Sequence, residues 1–268
     1  MTGSADLDAV LQHKQAQVWA CLACVSDPEL DESVTELNFV TRADVDPENR
    51  VHIEFRLPTY WCAANFSFLM ADDMRQAVAA LDWVQSVSVV LGEHMYADKI
   101  NAGLANGLSF EDTFGAEADG NLDELRQTFL VKAFQRRQAA LLNNLIALGF
   151  APEVLAEMTL WRLEELVLDE DSTKLVLRYL ERRGVVGPLR PDALAFITAE
   201  GARLKAETLA AYVTGLRRVG VNAEFNSALC RGLLSVRFDL ETPFVPKSRS
   251  PKSMLANIGT ADQTTDCR

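Results

Sequence analysis

The sequence predicts an α+β fold, in which a small N-terminal domain with the element order α-β-β-α-β precedes a mostly α-helical region. Three observations predict it. Apolar residues recur at helical spacing near the start, the next stretches alternate between apolar and polar residues, and helical patterns dominate beyond residue 121. The predicted domains are residues 6–101 and 121–238, followed by a flexible tail at 239–268.

The N-terminal elements are bounded by proline and turn residues. The first helix should end at Ser26-Asp27-Pro28, because proline lacks an amide hydrogen and disfavours helix in the residue before it. Asp46-Pro47-Glu48-Asn49 is typical of a turn and joins the first two strands into a hairpin. The predicted helix, two strands, helix and strand cover residues 6–25, 38–45, 50–57, 62–81 and 84–91.

The second half of the chain shows long amphipathic patterns that glycine interrupts. A glycine directly after a periodic stretch is typical of a helix C-terminus. The clearest predicted helices are Leu122 to Leu148, Thr173 to Arg183 and Ala202 to Val219, and the glycines that should close them are Gly149, Gly184 and Gly220.

Composition excludes several classes of partner. The formal net charge is -12 over 268 residues, so the chain should repel nucleic acid and anionic lipid, and neither is an expected partner. No apolar run reaches the roughly 18 residues of a membrane span, and the first residues lack the pattern of a secretory leader. The five cysteines are too few and too scattered for a disulfide framework. We therefore expect a cytoplasmic protein.

Two loops at one end of the predicted N-terminal domain carry the strongest chemical signal. One contains Asp27-Pro28-Glu29-Leu30, and the other contains Pro58-Thr59-Tyr60-Trp61-Cys62. A cysteine in the first turn of a helix lies near unpaired N–H groups and the positive end of the helix dipole, which favours the thiolate that binds metals. The alternative is a small buried cysteine that only packs.

Other cysteines and histidines give weaker signals. Cys21 and Cys24 form a C-x-x-C inside the first predicted helix, where they share a face, but the apolar periodicity favours simple packing. Burial statistics favour the same interpretation for Cys230. If Cys62 were a nucleophile it would need a general base, and His94, after the third strand, is the candidate that the topology brings near.

Several motifs follow one another in a fixed order between Val18 and Asn101. They are VSDPEL at 25–30, VTELNFV at 34–40, LPT at 57–59, Cys62 at a predicted helix start and VQSVSV at 84–89. In this order they resemble the SufT/PaaD-type iron–sulfur cluster assembly family, over about a third of the chain. The family usually has glycine at the position of Asn38, aspartate at Glu36 and proline at Ala63.

The resemblance implies a non-enzymatic factor that assembles, carries or inserts iron–sulfur clusters, or that matures metal-dependent oxygenases. It assigns the family's acidic loop residue to Asp27, its reactive cysteine to Cys62 and its upstream threonine to Thr59, and Glu29 supports the same loop. We expect Cys62 and Asp27 as metal ligands and a transient iron–sulfur cluster or iron as cargo. The helical extension resembles the enlarged form found with multicomponent hydrocarbon monooxygenases.

A single cysteine cannot hold a cluster that normally takes four thiolates. A homodimer, the cysteines of a client metalloprotein or a small thiol would have to supply the rest, and other iron–sulfur assembly proteins are further expected partners. Two alternatives remain open. One is a metal-free adaptor or chaperone for assembly of a multicomponent monooxygenase, and the other is an enzyme with Cys62 as its nucleophile.

Overall fold

The computed structural model describes residues 3–118 and 121–238, without the side chains of residues 3–8 and 218–224. In this part of the chain a helix and small sheets precede a mostly helical region, which confirms the predicted α+β class. The tail predicted at 239–268 lies outside the described residues.

The chain divides into two compact units that are discontinuous in sequence. Among the described residues, the first unit comprises 3–26, 33–113 and 229–238, and the second comprises Asp27–Glu32 and Phe114–Ala228. The acidic loop that follows the first helix thus belongs to the second unit. The predicted domain limits of 6–101 and 121–238 stay a prediction.

The elements up to residue 114 follow the predicted order, with small shifts at their ends. Two very short strands also lie around the acidic loop, and two helices follow the last strand. The elements are α1 (Gly3–Cys24), β1 (Ser26–Asp27), β2 (Glu32–Ser33), β3 (Val40–Val45), β4 (Arg50–Phe55), α2 (Ala64–Ala79), β5 (Ser86–Leu91), α3 (Ala97–Ala105) and α4 (Phe110–Phe114).

A three-stranded sheet with the order β3-β4-β5 forms the centre of the first unit. β3 and β4 are antiparallel, as the predicted hairpin requires, whereas β4 and β5 are parallel with Ile53 opposite Val89. Parallel strands need a crossover, and α2 supplies it. Val51, Ile53 and Phe55 are buried, so the alternation predicted for this strand is confirmed.

Left-handed backbone occurs at three non-glycine positions of the described chain: Asp31 (φ 55°), Asn38 (φ 58°) and Asn49 (φ 63°). Asparagine and aspartate tolerate this region better than other residues that carry a side chain. Asn38 lies just before β3, at the position where the family that the sequence resembles usually has glycine. The positive φ explains why asparagine can replace glycine there.

The second half of the chain forms α5 (Leu122–Ala147), α6 (Pro152–Glu157), α7 (Leu160–Glu164), α8 (Glu170–Arg183) and α9 (Leu209–Arg237), with 3₁₀ turns at Gly115–Glu117 and Ala206–Thr208. Gly149 (φ 93°) follows α5 as predicted. The helix predicted over 202–219 begins only at Leu209 and continues through Gly220, so the predicted stop is wrong. One glycine costs a helix only about 1 kcal/mol, and several good helix formers lie downstream, namely Ala223, Glu224, Ala228 and Leu229.

A buried aromatic cluster forms the core of the second unit. The ring of Tyr179 lies 5.8 Å from that of Phe134 and 5.5 Å from that of Phe196, measured between centroids. Gln138 is fully buried among them, donates to the Ile197 carbonyl at 2.8 Å and accepts from the Tyr212 hydroxyl at 2.7 Å. None of the helices in the described ranges is both long and apolar enough to span a membrane.

Candidate functional site

Cys62 lies in the loop between β4 and α2, in the first unit. Ala63 is the N-cap of α2, with the extended torsions φ −58° and ψ 131°, so the first helical residue is Ala64. The prediction that Cys62 stands in the first turn of this helix is therefore wrong. The extended backbone at Ala63 places the cysteine one residue ahead of the cap.

The thiol of Cys62 has one hydroxyl neighbour. Thr59 Oγ1 lies 3.1 Å from Cys62 Sγ, and either atom can donate. A hydroxyl rotor can accept from a thiol and donate to a thiolate, so Thr59 suits both states of the sulfur. Cys62 is half-buried, which leaves the thiol partly accessible.

His94 holds the backbone of Cys62 rather than its sulfur. The imidazole is 4% exposed, and its Nε2 lies 2.8 Å from the Cys62 carbonyl oxygen. The backbone N–H of Tyr96 donates to Nδ1 at 3.2 Å, so Nδ1 must be unprotonated and Nε2 must carry the hydrogen that the carbonyl accepts. Both ring nitrogens are thus used in backbone contacts, an arrangement that does not suit a general base acting on the sulfur.

Burial lowers the pKa of His94 from its usual value. The hydrogen bond to Cys62 raises the pKa, and the positive charge of Arg237 lowers it. The net direction favours the neutral imidazole, which is the form that the two hydrogen bonds require.

Apolar side chains next to Cys62 are exposed. Tyr60 is 51% exposed, Trp61 73% and Met95 49%. The backbone N–H of Met95 donates to the Tyr60 carbonyl at 2.9 Å, which ties the loop after β5 to the loop that carries Cys62. Aromatic side chains on a tied loop are typical anchors of protein interfaces.

The acidic loop forms a tight turn within the second unit. Oδ1 of Asp27 accepts from the backbone N–H groups of Glu29 at 2.9 Å and Leu30 at 2.8 Å. This carboxylate is buried, and burial raises the pKa of Asp27 to about 6. The two backbone hydrogen bonds lower that pKa, and the charges of Glu29 and Glu32 raise it further.

Helical residues of the second unit hold Glu29 at two points. Arg136 Nη1 donates to the Glu29 carbonyl at 2.7 Å, and Asn226 Nδ2 donates to the Glu29 carboxylate at 3.0 Å. The next residue, Ser227, donates to the carboxylate of Glu32. The sequence indicated none of these partners.

Asp31 is the most strongly paired residue of the acidic loop. Its buried carboxylate accepts from Arg137 of α5 at 2.6 and 2.9 Å and forms an ion pair with Arg182 of α8 at 3.1 Å. Sequence reasoning missed this residue; the sequence shows only that it lies in an acidic run, from Asp27 to Glu32. These ion pairs with Arg137 and Arg182 hold in place the loop that contains Asp27.

The predicted site residues thus fall into two pairs. Thr59 and Cys62 contact each other in the first unit, and Asp27 and Glu29 share a turn in the second. No group of three or more His, Cys, Asp or Glu side chains in the described residues is arranged to hold a metal ion.

The remaining predicted cysteines differ in exposure. Cys21 is buried and Cys24 is exposed, so the two do not present their thiols to one common environment. Cys230 is half-buried in α9, consistent with the packing interpretation.

Comparison with known proteins gives one family. Residues 15–89 match the model of a family described as iron–sulfur cluster assembly protein. The match includes the acidic loop, Thr59 and Cys62, and ends within β5. No curated protein matches the chain. The N-terminal third of the chain therefore contains a domain of the iron–sulfur cluster assembly protein family.

Proposed function

We propose that the chain is a maturation factor that delivers an iron–sulfur cluster or iron to a client metalloprotein such as an oxygenase, with Cys62 as the transient ligand. The matched family supports a role in iron–sulfur cluster assembly. The contact between Thr59 Oγ1 and Cys62 Sγ carries the proposal, because it places a hydroxyl group beside the thiol in the loop between β4 and α2.

The cluster is cargo in this proposal, and Cys62 supplies one thiolate. Iron–sulfur clusters normally take four thiolates, so the client's cysteines, a second copy of the chain or a small thiol supply the others. Sharing the ligands between this chain and the client favours transfer, because each client thiolate that binds the cluster can replace a thiolate that held it on this chain. The Thr59 hydroxyl can donate a hydrogen bond to the thiolate that binds iron.

Asp27 has two proposed roles, as an oxygen ligand for iron and as a support for its loop. The hydrogen bonds from Glu29 and Leu30 to Oδ1 support the second role. Its other carboxylate oxygen is the atom that the first role would use. Glu29, which Arg136 and Asn226 hold, supports the same loop.

The test is anaerobic reconstitution of the full chain with iron and sulfide, measured by visible absorption and by bound iron and sulfide. We expect uptake by the wild type and loss of uptake in Cys62→Ser. Cys24→Ser is the matched control, since it removes an exposed thiol elsewhere in the first unit. Equal uptake by the wild type and Cys62→Ser, or no uptake by either, would contradict the proposed role of Cys62.

A second candidate function is a metal-free adaptor for assembly of a multicomponent monooxygenase. The exposure of Tyr60 and Trp61 favours it, because large apolar side chains in water are common docking residues. It predicts that Trp61→Ala impairs client maturation while Cys62→Ser does not. Trp161→Ala is the control, since Trp161 is 54% exposed in the second unit.

A further inference from the structure

The guanidinium group of Arg237 joins two loops of the first unit. Arg237 is the last residue of α9, and its Nη1 donates to the Leu57 carbonyl at 3.2 Å. Its Nη2 donates to the Glu93 carbonyl at 3.0 Å and to the Glu93 carboxylate at 3.2 Å. The side chain is only 20% exposed. One planar cation thus bridges the end of β4 and the loop after β5.

Both bridged loops continue directly to the contacts of Cys62. Two residues after Leu57 comes Thr59, whose hydroxyl touches the sulfur. The residue after Glu93 is His94, which donates to the Cys62 carbonyl. Arg237 therefore fixes the starting point of each short segment that reaches Cys62.

Aromatic stacking fixes the guanidinium in place. The ring of Phe238 lies 5.0 Å from the Arg237 guanidinium carbon and 4.3 Å from that of Arg56. A planar cation favours the face of an aromatic ring, and this contact restricts the orientation of the Arg237 guanidinium. Lysine would keep the charge, but its single ammonium group cannot donate to the Leu57 and Glu93 carbonyls in the geometry of the planar guanidinium.

We propose that Arg237 is a positioning residue for Cys62: from the last turn of α9 it holds in place the two loops that contact Cys62. Arg237 lies far beyond the matched segment 15–89. Arg237 does not itself touch the sulfur. It acts through Thr59 and His94 by holding Leu57 and Glu93. The inference rests on the proposed role of Cys62 and extends it to a residue that the family match does not include.

The test uses the full chain and needs no metal. The rate of Cys62 alkylation by iodoacetamide is measured by mass spectrometry of the peptide that contains Cys62, at fixed pH. Iodoacetamide must reach Sγ from solvent, and the contact with Thr59 Oγ1 holds the half-buried sulfur in one orientation, so releasing the two loops should lower the fraction of molecules that present the sulfur to the reagent. We expect Arg237→Ala to lower the rate about fivefold, the effect of one hydrogen bond. Arg237→Lys should not restore the rate.

Two comparisons separate positioning from general destabilisation. Arg231→Ala is the matched control on the same helix, because Arg231 donates to the Glu36 carbonyl and should leave the rate unchanged. Thr59→Val should slow alkylation by a similar factor, and adding Arg237→Ala to it should have little further effect, because both changes remove the same contact. Fully additive effects would overturn the proposal.

An unchanged or faster rate in both Arg237→Ala and Arg237→Lys would also overturn it. If Arg237→Ala does not fold, Arg237→Lys decides, because it keeps the charge and the aliphatic stem. Histidine ¹⁵N chemical shifts give an independent signature. The wild type should show His94 in the tautomer with hydrogen on Nε2, and Arg237→Lys should mix the tautomers. Failure of iron uptake would leave these results unaffected, so the two proposals fail separately.

Discussion

The imidazole of His94 donates from Nε2 to the backbone carbonyl of Cys62 and accepts at Nδ1 from the N–H of Tyr96. A residue of the loop after β5 thereby fixes the peptide that carries the thiol. Because both nitrogens have backbone partners, His94 stabilises the loop, and the nucleophilic alternative lacks its expected base. The neutral ring is required, since a protonated Nδ1 would point its hydrogen at the Tyr96 N–H.

Acid should therefore destabilise the first unit through His94. The folded pKa lies below the usual 6.5, so the stabilisation is present above about pH 6.5 and is lost as the pH falls through the folded pKa. We expect the wild type to lose more free energy of unfolding between about pH 7.5 and about pH 5.5 than His94→Gln does. Urea unfolding at both pH values measures this. His52→Gln, at a partly exposed histidine, should behave like the wild type.

Asp27→Asn should stabilise the protein at neutral and alkaline pH. The asparagine oxygen can still accept from Glu29 and Leu30, while the buried charge disappears. Because the folded pKa of Asp27 is raised to about 6, its stability contribution is full below about pH 3.8 and is lost as the pH rises through about 6.

The gain from Asp27→Asn should thus reach about 1–3 kcal/mol near pH 8 and vanish near pH 4. Denaturant unfolding at several pH values tests this dependence. A gain that stays constant with pH would show that the charge of Asp27 is not its origin. Asp171→Asn, at an exposed residue of α8, is the control and should show no such profile.

Asp31→Asn should strongly destabilise the second unit. The substitution removes the charge that compensates the nearly buried guanidinium of Arg137 and the partly buried one of Arg182. Removing one partner of a buried ion pair costs about 3–5 kcal/mol. Arg137 keeps its exposed partner Glu181, so we expect the lower end of this range, about 3 kcal/mol. Thermal unfolding of the full chain measures the loss. Glu170→Gln, which breaks an exposed pair with Lys174, should change stability by less than about 0.5 kcal/mol.

Ala63→Pro should be tolerated and should stabilise the first unit. The φ of Ala63 is −58°, close to the value that a proline ring imposes, and the residue is an N-cap that precedes the helix. Proline there restricts the unfolded chain, so we expect a gain of about 0.4–1 kcal/mol.

Ala80→Pro is the matched opposite case. Its φ is −73°, but its N–H donates to Gln76 at the end of α2, so proline would remove a hydrogen bond and should destabilise. Unfolding midpoints of both variants check the pair of predictions. A loss of stability in Ala63→Pro comparable to that in Ala80→Pro would contradict the role assigned to the cap.

The local features of the first unit could be predicted from the sequence because their causes are local. The alternation of Val51, Ile53 and Phe55 specifies a strand with one buried face, and Pro28 limits α1. Thr59 and Cys62 are only three residues apart, so their contact needs little more than a tight loop.

The supporting contacts could not be predicted because they join distant parts of the chain. Arg237 and Leu57 are 180 residues apart, and Arg137 and Asp31 are 106 apart. A charged residue on a helix surface leaves the same local pattern whether it meets water or a buried carbonyl. The start of α2 at Ala64 depends on the torsions of one residue, which a hydrophobic pattern does not specify.

Each of the two units is built from separate stretches of the chain, and this limits where the protein can be truncated. Cleavage at residue 113 would leave a fragment that carries the loop Asp27–Glu32 without Arg136, Arg137 and Arg182, and that lacks residues 229–238. Such a fragment would contain the whole matched segment. The carboxylate of Asp31, which is buried in the full chain, would nevertheless be exposed in it, because its arginine partners would be missing. A gene encoding only the recognisable domain would therefore encode an incomplete folding unit.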